Sequence, residues 1–176
     1  GLDKLTKLNN LSFSDPHYSK GNEISEIKGL DNLRSLKVLN LSYNQIAEIK
    51  GLENLKTLEI LNLSGNQITE IKGLDNLITL KELYLDLNRI ENLSGLQNLD
   101  NLKYLEIGCN KIGKIRDIES LKNLEYLSLE DNQIDDTTWI SKLKNLKAIY
   151  LYGNPISQNA LRALQENQKN FFYNKH

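Results

Sequence analysis

The chain repeats one short pattern along most of its length. The stretch from Gly51 to Lys72 reads GLxxLxxLxxLxLxxNxIxxIx, and the same order of residues begins again at Gly73. One asparagine marks the same place in successive units, at intervals of 22 residues: Asn44, Asn66, Asn88, Asn110, Asn132 and Asn154. A fixed period of this length is typical of a solenoid, in which each unit buries its apolar face against its neighbours. The repeat therefore predicts one array of stacked coils.

Each unit contains a Leu-x-Leu pair whose spacing indicates a short strand. The two apolar side chains point to one face, and the residues beside them point to the other. Strands stacked at a constant interval form a parallel sheet. The remaining leucines and isoleucines turn the chain around the same core. The residues thus predict an α/β solenoid with its leucines inside.

The repeated asparagine has a structural explanation. Its carboxamide can donate and accept, so it can satisfy backbone groups where the chain leaves the strand, within its own coil and toward the next. We predict a buried ladder and no ligand-binding role for these residues. Loss of one asparagine would leave backbone groups unpaired, at a cost of roughly 1–3 kcal/mol.

The array spans residues 1–156 and is followed by a C-terminal cap at 157–176. It is already in progress at Gly1, so an N-terminal cap is expected either upstream or from another covering element. Six extra residues fall within 14–21, after the first strand, and form either a tolerated loop or part of a binding rim. The cap should hold an amphipathic helix from Ser157 to Lys169, with Phe171, Phe172 and Tyr173 lying back on the core.

The unit that begins at Asp117 departs from the template. Trp139 stands where other units have Gly, and Asp136 precedes Thr137 as in the start of a capped helix. Trp139 either is an exposed anchor for a partner or packs inward beside Thr137. The sequence favours packing.

These motifs resemble the short class of leucine-rich repeat, which occurs in the regulatory subunit of protein phosphatase 1 and in bacterial internalins. The Ile-Lys-Gly-Leu junctions at Ile27, Ile49 and Ile71 are closest to the phosphatase subunit. The resemblance implies a right-handed, curved solenoid with a concave parallel sheet and a convex side of 3-10 or short helical turns. It also implies protein binding on the concave side.

The outward columns of the strands are the expected binding site. The first column reads Asn10, Val38, Ile60, Glu82, Tyr104, Tyr126 and Ala148, and its N-terminal part is apolar at Val38 and Ile60. The C-terminal half gathers tyrosines and carboxylates. We predict that the partner contacts these nine residues: Glu82, Tyr84, Asp86, Tyr104, Glu106, Tyr126, Glu130, Tyr150 and Tyr152. Tyrosines offer rigid contact area, and carboxylates favour a basic protein or peptide.

Composition and motifs argue against several other functions. Charge is balanced, with 22 Lys+Arg against 23 Asp+Glu, so nucleic acid is not indicated. No apolar run is long enough for membrane insertion. The two histidines lack spaced partners and no phosphate-binding loop is present, so we expect neither an enzyme nor a cofactor or metal. Cys109 is expected to be half-buried and inert.

Two functions remain open from the sequence. One is an intracellular scaffold or regulatory subunit, and the single cysteine slightly favours the cytoplasm. The alternative is a bacterial surface or secreted domain for adhesion to a host. A structural spacer without a partner is a third interpretation. The sequence does not indicate the oligomeric state.

Overall fold

A computed structural model describes residues 2–14, 22–116, 118–167 and 171–172. Within them lie 3-10 helices at Leu2–Lys4, Ile118–Ser120 and Thr138–Lys142 and one α-helix, α1, at Gln158–Asn167. The strands are β1 (Asn10–Ser12), β2 (Val38–Asn40), β3 (Ile60–Asn62), β4 (Glu82–Tyr84), β5 (Tyr104–Glu106), β6 (Tyr126–Ser128), β7 (Ala148–Tyr150) and β8 (Phe171–Phe172). Apart from Ser14, the six-residue insertion expected within 14–21 lies outside the described residues, as does Asp117.

The strands form one parallel sheet in chain order from β1 to β8. Each of β1 to β6 pairs with the next strand at equivalent repeat positions, as in Leu39↔Leu61 and Tyr104↔Tyr126. From β2 to β7 the constant repeat length explains this register, since a unit of one fixed length returns each strand to the same height. β1 and β2 keep the equivalent register, as in Leu11↔Leu39, although six extra residues lie between them. The predicted solenoid and its columns are confirmed.

The core lies on one side of this sheet. The middle residues of β2 to β7, such as Leu39 and Leu83, are buried, and so are convex leucines such as Leu33, whereas Leu11 of β1 is half-buried. Convex segments turn by bonds that span three residues, because Leu33 N donates to Leu30 O at 2.9 Å and Leu36 N to Leu33 O at 3.0 Å. This is 3-10 geometry, which suits short turns between closely stacked coils.

The six repeated asparagines form the predicted buried ladder. Asn88 Nδ2 donates to Leu85 O of its own coil at 3.1 Å and to Leu63 O of the preceding coil at 3.0 Å. Its Oδ1 accepts from Ile68 N at 3.0 Å. The inter-coil bonds therefore run toward the preceding coil, whereas the sequence analysis expected them to run toward the next.

A second polar ladder follows the convex side and was not predicted. Thr57 Oγ1 donates to Arg34 O and Leu36 O, both at 2.9 Å. Thr79, Asn101, Asn123 and Asn145 hold the same place in later units and also donate to carbonyls of the preceding coil. The array is thus bonded coil to coil at both ends of the strands.

Glycine begins most units because two coils approach closely there. Gly95 has a φ of +104°, and a Cβ on it would collide with the backbone oxygen of Ile71. In one unit Trp139 takes the place of this glycine, and the junction is formed differently. Trp139 is only 3% exposed, and its Nε1 donates to Asp136 O at 2.7 Å. Of the two interpretations, inward packing is confirmed.

The C-terminal elements close the core. Asp136 Oδ1 accepts from Thr138 N at 2.9 Å just before the last 3-10 helix, but the N-cap residue is Thr137, one position after the expected Asp cap. Helix α1 buries Leu161 and Leu164, as its amphipathic pattern predicts. Phe171 and Phe172, which were expected to lie back on the core with Tyr173, form β8 beside β7 and extend the sheet; Tyr173 lies outside the described residues.

Replacement of a ladder asparagine should destabilise the fold strongly. In Asn88→Ala, Ile68 N and the carbonyls of Leu63 and Leu85 lose their buried partner. We expect the free energy of unfolding in urea to fall by about 3 kcal/mol. The matched control is Asn98→Ala, which removes an exposed bond to Asp75 and should cost less than about 0.5 kcal/mol. Equal losses in the two variants would contradict the ladder's role.

Candidate functional site

The nine predicted contact residues come together on the outward face of β4 to β7, as the register requires. We call this surface the tyrosine–carboxylate face. Every side chain in it is half-buried, so each is packed by neighbours while keeping part of its surface in solvent. The members are Glu82, Tyr84, Asp86, Tyr104, Glu106, Tyr126, Glu130, Tyr150 and Tyr152.

Four of the tyrosines form a continuous aromatic ladder. Tyr104 and Tyr126 lie opposite each other on β5 and β6 and stack in parallel, with ring centroids 4.0 Å apart and planes 4° apart. Tyr84 and Tyr150 flank them at 5.4 Å and 5.2 Å, tilted by 43° and 40°. Aromatic pairs at such distances are favourable beyond their buried area. The ladder therefore holds a rigid apolar strip on the outward face.

Glutamates tie two of these rings in place. Tyr84 Oη donates to Glu82 Oε2 at 2.8 Å, and Tyr104 Oη donates to Glu106 Oε1 at 2.5 Å. Each pair lies two residues apart on one strand, which puts both side chains on the same face. Burial and then the glutamate bond raise the pKa of Tyr84 and Tyr104 well above the ordinary value. Both hydroxyls consequently remain protonated donors.

Asp86 lies beside the ladder in an unusual environment. Its Oδ1 accepts from Gly108 N at 2.6 Å. Gly108 gives Asp86 this room, because a Cβ there would come within 3.2 Å of Asp86 Oδ1. Burial, together with the charge of Glu106, raises the pKa of Asp86 to about 6, although the Gly108 bond opposes the shift. Part of this carboxyl is therefore protonated near pH 6.

Ion pairing distinguishes the flank of the sheet from this face. On the flank, Glu59 lies 3.1 Å from Lys37 and 2.6 Å from Lys81, and Glu125 is held in the same way by Lys103 and Lys147. These bonds to lysine lower the pKa of both glutamates. Among the residues that the structure describes, the face's own acidic side chains form no such pair: Glu82, Asp86, Glu106 and Glu130. Glu82, Asp86 and Glu106 therefore have hydrogen-bond donors, but none of the four carboxyl groups has a lysine or arginine partner among the described residues.

The N-terminal half of the concave surface differs from the expectation. Ser42 and Ser64 were placed in an outward column, but both are buried, and so is Ser128 beneath the tyrosines. The backbone at these serines belongs to the buried asparagine ladder, since Ser42 O accepts from Asn44 Nδ2 and Ser64 O accepts from Asn66 Nδ2, which the column pattern alone does not reveal. Val38 and Ile60 are half-buried. The described outward residues of β1 to β3 carry no charged side chain, in contrast to the tyrosine–carboxylate face.

Leu87 was missed by the sequence analysis. It is 48% exposed at the rim of a cavity of about 460 Å³ beside Tyr84 and Asp86, and its φ is +56°. Left-handed backbone is strained for a residue with a Cβ. Gly65 and Gly153 occupy the equivalent place in other units. Comparison of the repeats position by position was the signal that could have found it.

Cys109 also differs from the expectation, because it is exposed instead of half-buried. Although the residue is exposed, some desolvation of its thiol and the neighbouring Asp131, 3.8 Å from the sulfur, raise the pKa of that thiol. Few thiolates therefore form near neutral pH. The described part of the chain holds no cluster of three or more His, Cys, Asp and Glu suited to a metal ion. Likewise, no helix in that part has the length and apolar character to cross a membrane.

Two family models match the chain. One, described as Leucine Rich repeats (2 copies), matches residues 34–76 and 122–165, and the other, described as Leucine rich repeat, matches residues 78–134. No curated protein sequence matches the chain.

Several solved structures are similar over nearly the whole chain. An internalin C2 from Listeria monocytogenes is 31% identical, with a TM-score of 0.67, and the match covers 93% of this chain and 80% of that one. The internalin inlF of the same organism and a leucine-rich repeat protein of Leptospira interrogans are each 26% identical over 99% of this chain, with TM-scores of 0.72 and 0.73. The chain spans 57% and 50% of the length of these two. Two of these structures are internalins, and none of the three supports the closer likeness to the phosphatase subunit.

The unfavourable charge of Asp86 should make the free energy of unfolding depend on pH. A carboxyl whose pKa is higher in the folded state binds its proton more tightly there, so stability is lost as pH rises from about 4 to about 6. Asp86→Asn keeps an oxygen for Gly108 N and removes the charge. We expect it to raise the free energy of unfolding by about 1 kcal/mol at about pH 7, after allowance for solvent screening. The gain should vanish at about pH 4.

The control for this experiment is Asp136→Asn. Bonds from the backbone and side chain of Thr138 lower the pKa of Asp136, so the same substitution should lose stability at neutral pH and lose less on acidification. Chemical unfolding across this pH range measures both trends. A loss of stability in Asp86→Asn at neutral pH would show that its charge is compensated.

Proposed function

We propose that this chain, which belongs to the leucine-rich repeat family, is a protein–protein interaction module that binds a basic protein or peptide on its tyrosine–carboxylate face. Leucine-rich repeat arrays are commonly protein-binding modules. The role of scaffold or regulatory subunit belongs to the same proposal. The nine residues of this face are the proposed contacts.

The observation that carries the proposal is the contrast in ion pairing. Glu59 and Glu125 on the flank each have two lysine partners, whereas Glu82, Glu106 and Glu130 on the face have none among the described residues. The chain has enough lysine to neutralise these charges, yet it places the lysines elsewhere. Uncompensated charge on one face attracts a partner of opposite sign and orients it during encounter.

The aromatic ladder supplies the second part of the argument. Tyr104 and Tyr126 hold each other by stacking, and the Glu106 bond fixes the Tyr104 hydroxyl. Little side-chain freedom is left to lose when a partner covers these rings, which favours affinity. Tyrosine is also among the residue types that dominate binding energy at interfaces.

The sheet is large enough for such an interface. Strands stacked about 4.8 Å apart place β1 to β7 across roughly 30 Å. A stable complex of ordinary size covers about 800 Å² on each partner. A folded domain or an extended peptide therefore fits on this side of the array.

A second candidate function is a bacterial cell-surface or secreted domain for adhesion to a host. The similarity to internalins of Listeria monocytogenes and to a Leptospira interrogans protein favours it. An antibody to the chain that labels intact cells of the source organism supports this function. Labelling only after permeabilisation supports the intracellular scaffold.

The likeness of Ile27, Ile49 and Ile71 to phosphatase-subunit junctions remains a narrower proposal within the intracellular function. Direct binding of the purified catalytic subunit of protein phosphatase 1 tests it. A saturable complex supports it, and absence of binding at high concentration removes it.

The main proposal is tested by selecting random displayed peptides on the immobilised chain. We expect the selected peptides to carry net positive charge, and Tyr104→Ala/Tyr126→Ala should weaken their binding at least about tenfold by calorimetry. Affinity should also fall as salt rises, because the attraction is between exposed charges. Selection of neutral or acidic peptides, or none, would contradict the proposal.

The matched control for the double variant lies outside the sheet, in the turn that precedes β4. Ile78 is 58% exposed, so Ile78→Ala removes an exposed apolar side chain away from the tyrosines. Its binding should equal that of the unaltered chain. Circular dichroism and unfolding of each variant separate loss of contact from loss of fold.

A further inference from the structure

The aromatic ladder stops at Tyr84. Its neighbour on β3 is Asn62, and the next residue in that row is Asn40 on β2. Both amides are short, and their oxygens already accept from the backbone N–H of Ser64 and Ser42. The row of rings thus ends beside a floor formed by two short side chains, Asn62 and Asn40.

A cavity of about 460 Å³ lies over this floor. Six of its lining residues define its character: Asn40, Asn62, Tyr84, Asp86, Leu87 and Glu106. The lining contains two carboxylic acids, Asp86 and Glu106, and no lysine or arginine is among the described residues that line it. Asp86 Oδ1 binds Gly108 N, and Glu106 Oε1 binds the Tyr104 hydroxyl. A carboxylate has room for further donors on each side.

We propose that this cavity receives one arginine side chain of the bound partner, at the open end of the tyrosine ladder. This inference rests on the proposed function and names the contact that a basic partner makes. The guanidinium lies next to Tyr84 as a further planar member of the row, and it donates to Asp86 and Glu106. Charge complementarity selects a cation for this position.

The shape of the site selects arginine over lysine. A guanidinium is planar, stacks on aromatic rings and donates through a fork that matches two acceptors. An ammonium is compact and strongly hydrated, so it pairs with one carboxylate without covering the ring. Two carboxyl groups beside a terminal ring therefore suit the fork better than the point charge.

Leu87 completes the site at its rim. Its side chain is exposed at a position where glycine serves in two other units, and its backbone is left-handed. It offers an apolar contact to the stem of an arginine that enters the cavity, since such stems pack on apolar surface while the charged head stays polar.

The test uses peptides selected on the full chain, with each arginine replaced in turn by lysine. We expect one position at which the replacement weakens binding about tenfold, and small effects at the others. In Asp86→Asn the same replacement should make little difference, because the fork has lost one acceptor. Glu130→Gln removes one charge elsewhere on the face, so it should weaken the arginine and lysine peptides equally.

Leu87→Gly gives an independent measurement. It should weaken the arginine peptide several-fold while leaving stability unchanged or higher, because glycine accepts the left-handed backbone. Cys109→Gly changes the equivalent left-handed position one repeat later, outside the cavity, and should leave binding unchanged.

The outcomes separate the two proposals. Basic peptides that tolerate lysine at every position overturn the arginine site and leave the proposed function standing. Equal sensitivity to lysine in Asp86→Asn and in the unaltered chain also overturns the site. Selection of peptides without positive charge overturns both.

Discussion

Satisfaction of buried backbone polar groups is the constraint on which this molecule depends. Every coil must turn away from the sheet, and at each turn it leaves N–H and C=O groups that water does not reach. Asn66, Asn88 and their equivalents meet this need with one side chain that bonds two coils. In the regular units each bond reaches the same distance back along the chain, 25 residues from Asn66 Nδ2 to Leu41 O and from Asn88 Nδ2 to Leu63 O, which matches the constant spacing of the sequence. Across the first coil, which carries six extra residues, Asn44 Nδ2 makes the same bond to Phe13 O, 31 residues back.

That constraint leaves the outward columns free to vary. A residue such as Tyr104 or Glu106 contributes nothing to the leucine core, so its identity is limited only by its neighbours on the same face. Diversity is accordingly concentrated in these columns, whereas the core repeats. The same division explains why membership in the family does not identify a partner. On the proposed function the columns encode the partner, whereas the leucines, glycines and asparagines encode the fold.

Sequence reasoning recovered the elements that depend on local chemistry and constant spacing. The strands, their register, the asparagine ladder and the helix carrying Leu161 follow from patterns that each unit repeats. It did not recover features that depend on particular contacts between units. Ser42 and Ser64 are buried where their carbonyls accept from the ladder asparagines, and the stack of Tyr104 on Tyr126 needs two particular rings in register. The convex ladder from Thr57 to Asn145 was visible as a period but offered no distinctive residue type.

The tyrosine–carboxylate face carries an energetic conflict at Asp86. Asp86 is half-buried next to Glu106, and its raised pKa shows that its charge is disfavoured. Leu87, the next residue, occupies backbone that glycine would adopt without strain. The turn is not peculiar to this place, because Tyr43, Cys109 and Asp131 have the same left-handed backbone at equivalent positions and only Gly65 and Gly153 are glycine there. The charge is different, since elsewhere lysine lies beside Glu59 and no lysine pairs with Asp86 among the described residues. An unfavourable charge that persists at one place, while lysine pairs with glutamate in other repeats, is expected where a surface serves binding instead of stability. On that argument, a partner that supplies positive charge relieves the cost at Asp86.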